Sequence, residues 1–282
     1  HQEPVLSLQY GVTEGYTPLR DAIKARLKRV ENVGTDNDEL IVVSGGQQGI
    51  EHTCKVLCNE GDTVICEEPT FIGALNAFRS NGAITKGIPL RDDGIDTEIL
   101  ESLLAADRAG ENRIKMLYLI PTFHNPAGTT MSLEKRRAVY EICREKGLLI
   151  VEDNPYGELR FAGEDIPTIK SFDDAGIVVY CGSFSKILSA GMRVGFLSAP
   201  EAVFQKIVVA KQVEDVHTNQ FFQMLCADFI AKYGLDEHIA SVSELYRSKC
   251  ELMLGELDKN MPKCVKYTCP EGGLFVWLTL PD

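Results

Sequence analysis

Short apolar, largely β-branched runs recur along the chain at Leu40–Val43, Thr63–Cys66, Ala83–Ile88, Lys115–Ile120, Leu148–Glu152, Ile177–Tyr180 and Val194–Ser198. They lack the strict polar alternation of strands with one wet face, and most are separated by segments with helical spacing. Near-continuous apolar strands alternating with helices are the pattern of a sheet buried on both faces. The sequence therefore predicts an α/β fold, a mainly parallel seven-stranded sheet flanked by helices. From Glu201 to about Lys259 the pattern turns helical, with a break at Tyr233-Gly234-Leu235-Asp236 and a stop at Met261-Pro262. Lys263–Thr268 and Gly273–Leu280 then read as strands of a second unit. The expected division is a large domain over residues 1–233 and an incomplete α+β small domain over 234–282.

Length and composition narrow the class. A chain of 282 residues can bury one large core and part of a second. Apolar residues make up 44% and charged residues 25%, as in soluble globular proteins, and no apolar run reaches the ~18–20 residues of a membrane span. The start, His1-Gln2-Glu3-Pro4, has no basic region followed by an apolar core, so a cytoplasmic location is expected. Nine cysteines, an odd number without C-x-x-C pairing, favour reduced core thiols over disulfides. Cys54 and Cys58 are four apart on an expected helix, but no histidines cluster with them and no metal is expected. A net charge of −12 argues against a nucleic-acid or anionic membrane surface on this segment, while leaving room for a local phosphate pocket.

In sheets of this kind ligands bind beyond the carboxyl ends of the strands. The most telling of these segments runs from Cys181 to Phe196, where Lys186 follows Ser183 and Ser185 and precedes Arg193 by seven positions. A lysine amine can bond an aldehyde carbon while hydroxyls and a guanidinium hold phosphate, which fits pyridoxal 5′-phosphate. A surface lysine after a strand is the plain alternative, and four other segments weigh against it. Ser44-Gly45-Gly46-Gln47-Gln48-Gly49 leads from a strand into a helix, where backbone N–H groups attract an anion. Phe71, after the next strand, is either core or a platform for a ring. Pro121–Gly128 presents Asn125, an amide that can donate to a ring oxygen. Asp153 ends a buried strand, where a carboxylate is costly unless paired, and it is either a helix cap or the partner of a protonated ring nitrogen. Tyr156, three residues on, can donate to the same ring oxygen as Asn125.

Together these motifs resemble the fold-type I pyridoxal-phosphate enzymes, in particular class I/II aminotransferases of the 2-aminoadipate and kynurenine type. The resemblance runs from Tyr10-Gly11-Val12-Thr13-Glu14-Gly15-Tyr16 to Gly272-Gly273-Leu274-Phe275-Val276-Trp277. It implies a ping-pong amino-group transfer between an amino acid and a 2-oxo acid, with Lys186 bonding the cofactor aldehyde and Asp153 holding the ring nitrogen. Asn125 and Tyr156 match the residues facing the ring oxygen, and Phe71 the stacking position. Gly46, Gln47, Ser183, Ser185 and Arg193 fall on the phosphate positions. Tyr10 matches a tyrosine that reaches the neighbouring subunit's phosphate, which implies a homodimer. The family's C-terminal arginine for the substrate carboxylate and its segment ahead of the Tyr10 motif have no counterpart, so the resemblance also implies truncation at both ends. Two rivals share the motifs: a pyridoxal-phosphate β-lyase, and the aminotransferase-like domain of a winged-helix transcription regulator, which Phe123 to Leu133 also resembles.

Overall fold

A computed structural model describes residues 4–35, 37–108, 110–111 and 113–281. A short helix α1 (Pro4–Ser7) precedes α2 (Thr17–Glu31), and the sheet begins with β1 (Asp38–Val43). There follow α3 (Gly46–Leu57), β2 (Thr63–Glu68), α4 (Ile72–Ser80), β3 (Ile84–Arg91), β4 (Gly94–Ile95), α5 (Thr97–Arg108) and β5 (Ile114–Leu119). Next come α6 (Leu133–Lys146), β6 (Leu149–Asp153), β7 (Val178–Ser183), β8 (Gly195–Pro200) and the helices α7 (Glu201–Glu214), α8 (Gln220–Lys232) and α9 (Leu235–Asn260). The strands β9 (Lys266–Tyr267) and β10 (Leu278–Thr279) close the order.

The main sheet has eight strands in the order β1-β8-β7-β6-β5-β2-β3-β4. All seven predicted strands are present, and β4 adds a two-residue antiparallel edge to β3. Strands β3, β2, β5, β6 and β7 are parallel neighbours, whereas β8 runs antiparallel to both β7 and β1. That reversal brings the start of β8, next to Arg193, to the same end of the sheet as the ends of β1 and β7.

Burial on both faces explains the apolar runs. In β1, Ile41 and Val43 belong to a core completed by Ile50 and Cys54 of α3, Phe78 of α4 and Ile207 of α7. Leu40 and Val42 point the other way, toward Leu19, Ile23 and Leu27 of α2 and Cys226 of α8. Farther along that face Ile65, Leu117, Ile150 and Val178 pack on Leu100 of α5 and Val139 of α6. Local signals set the helix ends. Ser132 caps α6 by accepting from the Lys135 backbone N–H at 3.2 Å, and Gly147 ends it in the left-handed region.

Two sequence expectations are revised. The helical stretch after Glu201 breaks before Asn219 as well as at Gly234, because Asn219 caps α8 by accepting from the Phe222 N–H at 3.2 Å. The strands expected over Lys263–Thr268 and Gly273–Leu280 shrink to an antiparallel two-residue pair. Beyond it, the Thr268 N–H still donates to the Trp277 carbonyl at 3.0 Å, but the Trp277 N–H turns to the Thr268 hydroxyl at 2.9 Å. This small unit docks on the Asn125 turn: Phe275 packs edge-on against Tyr156 with ring centroids 5.6 Å apart. A Cβ on Gly128 would collide with the Phe275 carbonyl.

Candidate active site

The site forms where β1, β5, β6 and β7 end and β8 begins. Asp153 closes β6 and is buried. Its Oδ2 accepts from the Tyr118 hydroxyl at 2.7 Å, and the Cys181 thiol bonds the same carboxylate. Burial pushes its pKa up to about 6, Tyr118 and Cys181 pull it back, and the nearby Glu67 charge adds to the rise. No cation pairs with Asp153 among the described residues. The carboxylate thus sits between neutral donors, and a buried charge in that setting calls for a cationic partner.

Asn125 and Tyr156 are brought together by their turns. The Asn125 amide donates to the Tyr156 hydroxyl at 3.2 Å. Burial raises the Tyr156 phenol to about 12, so it remains a donor at neutral pH. The Asn125 turn is held from below by two residues that the sequence reading passed over. His124 Nδ1 accepts from the Ala127 N–H at 3.2 Å, and its Nε2 lies 3.1 Å from Glu67, which itself accepts from the Ile120 N–H at 2.8 Å. Arg136, fully buried, donates to the carbonyls of Met131, Pro121, Ile166 and Pro167 and to the Thr122 hydroxyl.

A cradle of backbone and guanidinium lies at the start of α3. Gly45 precedes the helix with φ of 85°, a conformation that favours glycine, and a Cβ there would strike the Arg193 guanidinium. Arg193 donates to the Ser44 carbonyl at 3.2 Å and reaches the Ser185 hydroxyl at 3.5 Å. The Ser185 N–H donates to the Ser183 hydroxyl at 3.1 Å. Gly195 is pressed against the same loop, its Cβ position lying 2.9 Å from the Gly45 carbonyl carbon and the Gly46 nitrogen. Cys181 joins this cradle to Asp153, since its sulfur also lies 3.7 Å from the Gly46 carbonyl oxygen. Behind the loop, buried Lys211 donates to Gln48 at 2.9 Å and to Asp215, which in turn accepts from the Ser44 hydroxyl at 3.0 Å.

The remaining candidates are placed less uniformly. The Gln47 amide donates to the Gly73 carbonyl at 2.8 Å, and a Cβ on Gly73 would meet both Gln47 and the Phe71 ring. Lys186 is half-buried between β7 and β8, without a hydrogen bond or ion pair to any described residue. Tyr10 stands apart, 83% exposed, with its ring meeting His217 edge-on at 5.8 Å. Glu51, His52 and Glu214 also cluster, but the Lys55 ammonium lies 3.7 and 3.8 Å from the two carboxylates and offsets their charge. Among the described residues no helix is long and apolar enough to cross a membrane.

Comparison with known proteins places the chain among relatives. The family model described as aminotransferase class I and II matches residues 5–282. The chain is 40% identical to an aromatic-amino-acid aminotransferase of Thermococcus litoralis, over 98% of this chain and 66% of the relative. It is 39% identical to a 2-aminoadipate transaminase of Thermus thermophilus, over 98% of this chain and 67% of that protein. Its fold matches the crystal structure of a kynurenine aminotransferase of Pyrococcus horikoshii in complex with PMP. The TM-score is 0.96 at 38% identity, covering 100% of this chain and 70% of that one. The chain thus spans about two thirds of the length of the curated relatives it matches.

Proposed function

Because this chain belongs to the class I and II aminotransferase family, we propose that it transfers an amino group between an amino acid and a 2-oxo acid, in a ping-pong cycle with pyridoxal 5′-phosphate as cofactor. When bound, pyridoxal phosphate supplies an aldehyde carbon that exchanges bonds with amines and a ring that draws electrons from the adjacent carbon. The observation that carries the reading is Asp153, a buried carboxylate at the strand ends, held among the described residues by neutral donors. A protonated ring nitrogen is the cation such a group lacks.

The other residues fit around that anchor. Gly46, Gln47, Ser183, Ser185 and Arg193 bind the phosphate, with the N-terminus of α3 and the Arg193 guanidinium offsetting its charge. Asn125 and Tyr156 donate to the ring oxygen, and Phe71 lies against the ring face. With the cofactor bound, the Lys186 amine would hold its aldehyde carbon at rest and, once released by the substrate amine, would carry the proton from the substrate Cα to that carbon. Among the described residues Lys186 has no hydrogen bond or ion pair, which supports that use, since a committed ammonium could not serve as a base.

The same proposal covers assembly and location. Tyr10 reaches the phosphate of a neighbouring subunit in a homodimer, which its 83% exposure and the exposed Val5, Leu8 and Val12 beside it support. We place the enzyme in the cytoplasm and divide the chain at residue 233, where Gly234 separates α8 from α9. Replacing Lys186 with alanine tests the chemistry: the visible absorbance that develops when wild type takes up pyridoxal phosphate should be lost. An unchanged spectrum would rule out the role given to Lys186.

A further inference from the structure

Tyr118 is fully buried and next to last in β5, in a stretch otherwise built of Met116, Leu117 and Leu119. A tyrosine in such a place needs an acceptor for its hydroxyl. It stands opposite Val151 of β6 in the sheet register, and Asp153 lies two residues further along the same face. The tyrosine side chain is long enough to bridge that diagonal, its hydroxyl lying 2.7 Å from Asp153 Oδ2. The ring cannot swing away, because Phe78 of α4 packs on it with centroids 5.4 Å apart at 73°. An aspartate's terminal torsion is by contrast broad, so an unrestrained carboxylate would rotate freely.

We propose that Tyr118 is a positioning residue for the transfer reaction, its hydroxyl locking the Asp153 carboxylate in the orientation that meets the cofactor's ring nitrogen. The inference rests on the reading of Asp153 as that nitrogen's partner. The bond from Tyr118 at 2.7 Å fixes Oδ2, and the Cys181 thiol braces the carboxylate from the neighbouring strand β7. Both braces are neutral, so they orient the charge without cancelling it. A cationic brace would hold the carboxylate equally still but compete with the ring nitrogen for it.

A purely structural tyrosine and a positioning one differ in what they do to ligand discrimination. The experiment is a binding titration of apo protein with pyridoxal phosphate and with its 1-deaza analogue, in which the ring nitrogen is replaced by C–H. Wild type, Asp153→Asn and Tyr118→Phe are compared, with the melting of each apo protein recorded alongside. Wild type should prefer pyridoxal phosphate, Asp153→Asn should lose that preference, and Tyr118→Phe should reduce it about tenfold while binding the deaza analogue as wild type does. A chain carrying 4-aminophenylalanine at position 118, which keeps a donor at the same place without a cavity, should keep the preference. Full preference in Tyr118→Phe, or loss of preference with the amino analogue, overturns the positioning role. Preference that survives in Asp153→Asn overturns the reading of Asp153 itself.

Discussion

The cost of burying Asp153 gives a sharp test in the apo protein. Raising a carboxyl from 3.8 to about 6 corresponds to about 3 kcal/mol of differential stability. Because the folded value lies above the unfolded one, the native state binds the proton more tightly. The contribution is therefore fully present below about pH 4 and is lost as pH rises through about 6. Asp153→Asn removes the titration but keeps an oxygen for the Tyr118 hydroxyl, so it isolates the charge. Urea unfolding of both proteins without cofactor, from pH 4 to 7.5, reads the difference directly. Wild type should lose roughly 2–3 kcal/mol relative to the variant over that range and nothing further above it. Saturating pyridoxal phosphate at pH 7.5 should recover that loss in wild type and not in the variant, since only wild type has a carboxylate to pair. A difference that does not change with pH would show that Asp153 carries no burial penalty and would remove the reason for assigning it a cationic partner.

Other substitutions probe the frame around the site. Gly195→Ala places a Cβ 2.9 Å from the backbone of Gly45 and Gly46 and 3.0 Å from the Gly182 carbonyl, with no side chain free to yield. It should cost roughly 1–3 kcal/mol and weaken cofactor binding; unaltered melting and affinity would contradict the packing described. Arg136→Lys keeps the charge but loses the planar fork that serves five acceptors. A destabilisation of about 3 kcal/mol in urea is expected, and a change below about 1 would show that the fork is dispensable. Gly73→Ala pushes on the Phe71 ring and the Gln47 amide together. Pyridoxal phosphate affinity should fall about tenfold with little change in melting, and equal affinity would deny Phe71 its place on the ring.

The main sheet was legible because two-faced burial leaves an unmistakable signature. Ile41 and Val43 answer to one core, Leu40 and Val42 to another, so no polar residue interrupts the run. The direction of β8 was not legible, since Val194–Ser198 reads alike whichever way it runs, and only the sheet register fixes it. The two-residue β4 falls below any periodicity. The turns that present Asn125, Asp153 and the Gly45–Gln47 loop could be read because glycine, proline and a strand-ending carboxylate are local signals. Tyr118 and Arg136 escaped because the partner of the first lies 35 residues away and all but one of the second's lie 14 to 31 residues away in sequence. A signal existed in each case: a lone hydroxyl in the apolar β5, and an arginine inside the buried stripe of α6. The Glu67 carboxylate could have been found by the same reasoning that singled out Asp153, as it lies next to last in β2 where Asp153 is last in β6.

The role of Lys186 is open to direct chemical capture. Protein loaded with pyridoxal phosphate, reduced with borohydride and digested, should yield one modified peptide, carrying a pyridoxyl phosphate mass on Lys186. The label on another lysine, or on none after saturating loading, would contradict the account.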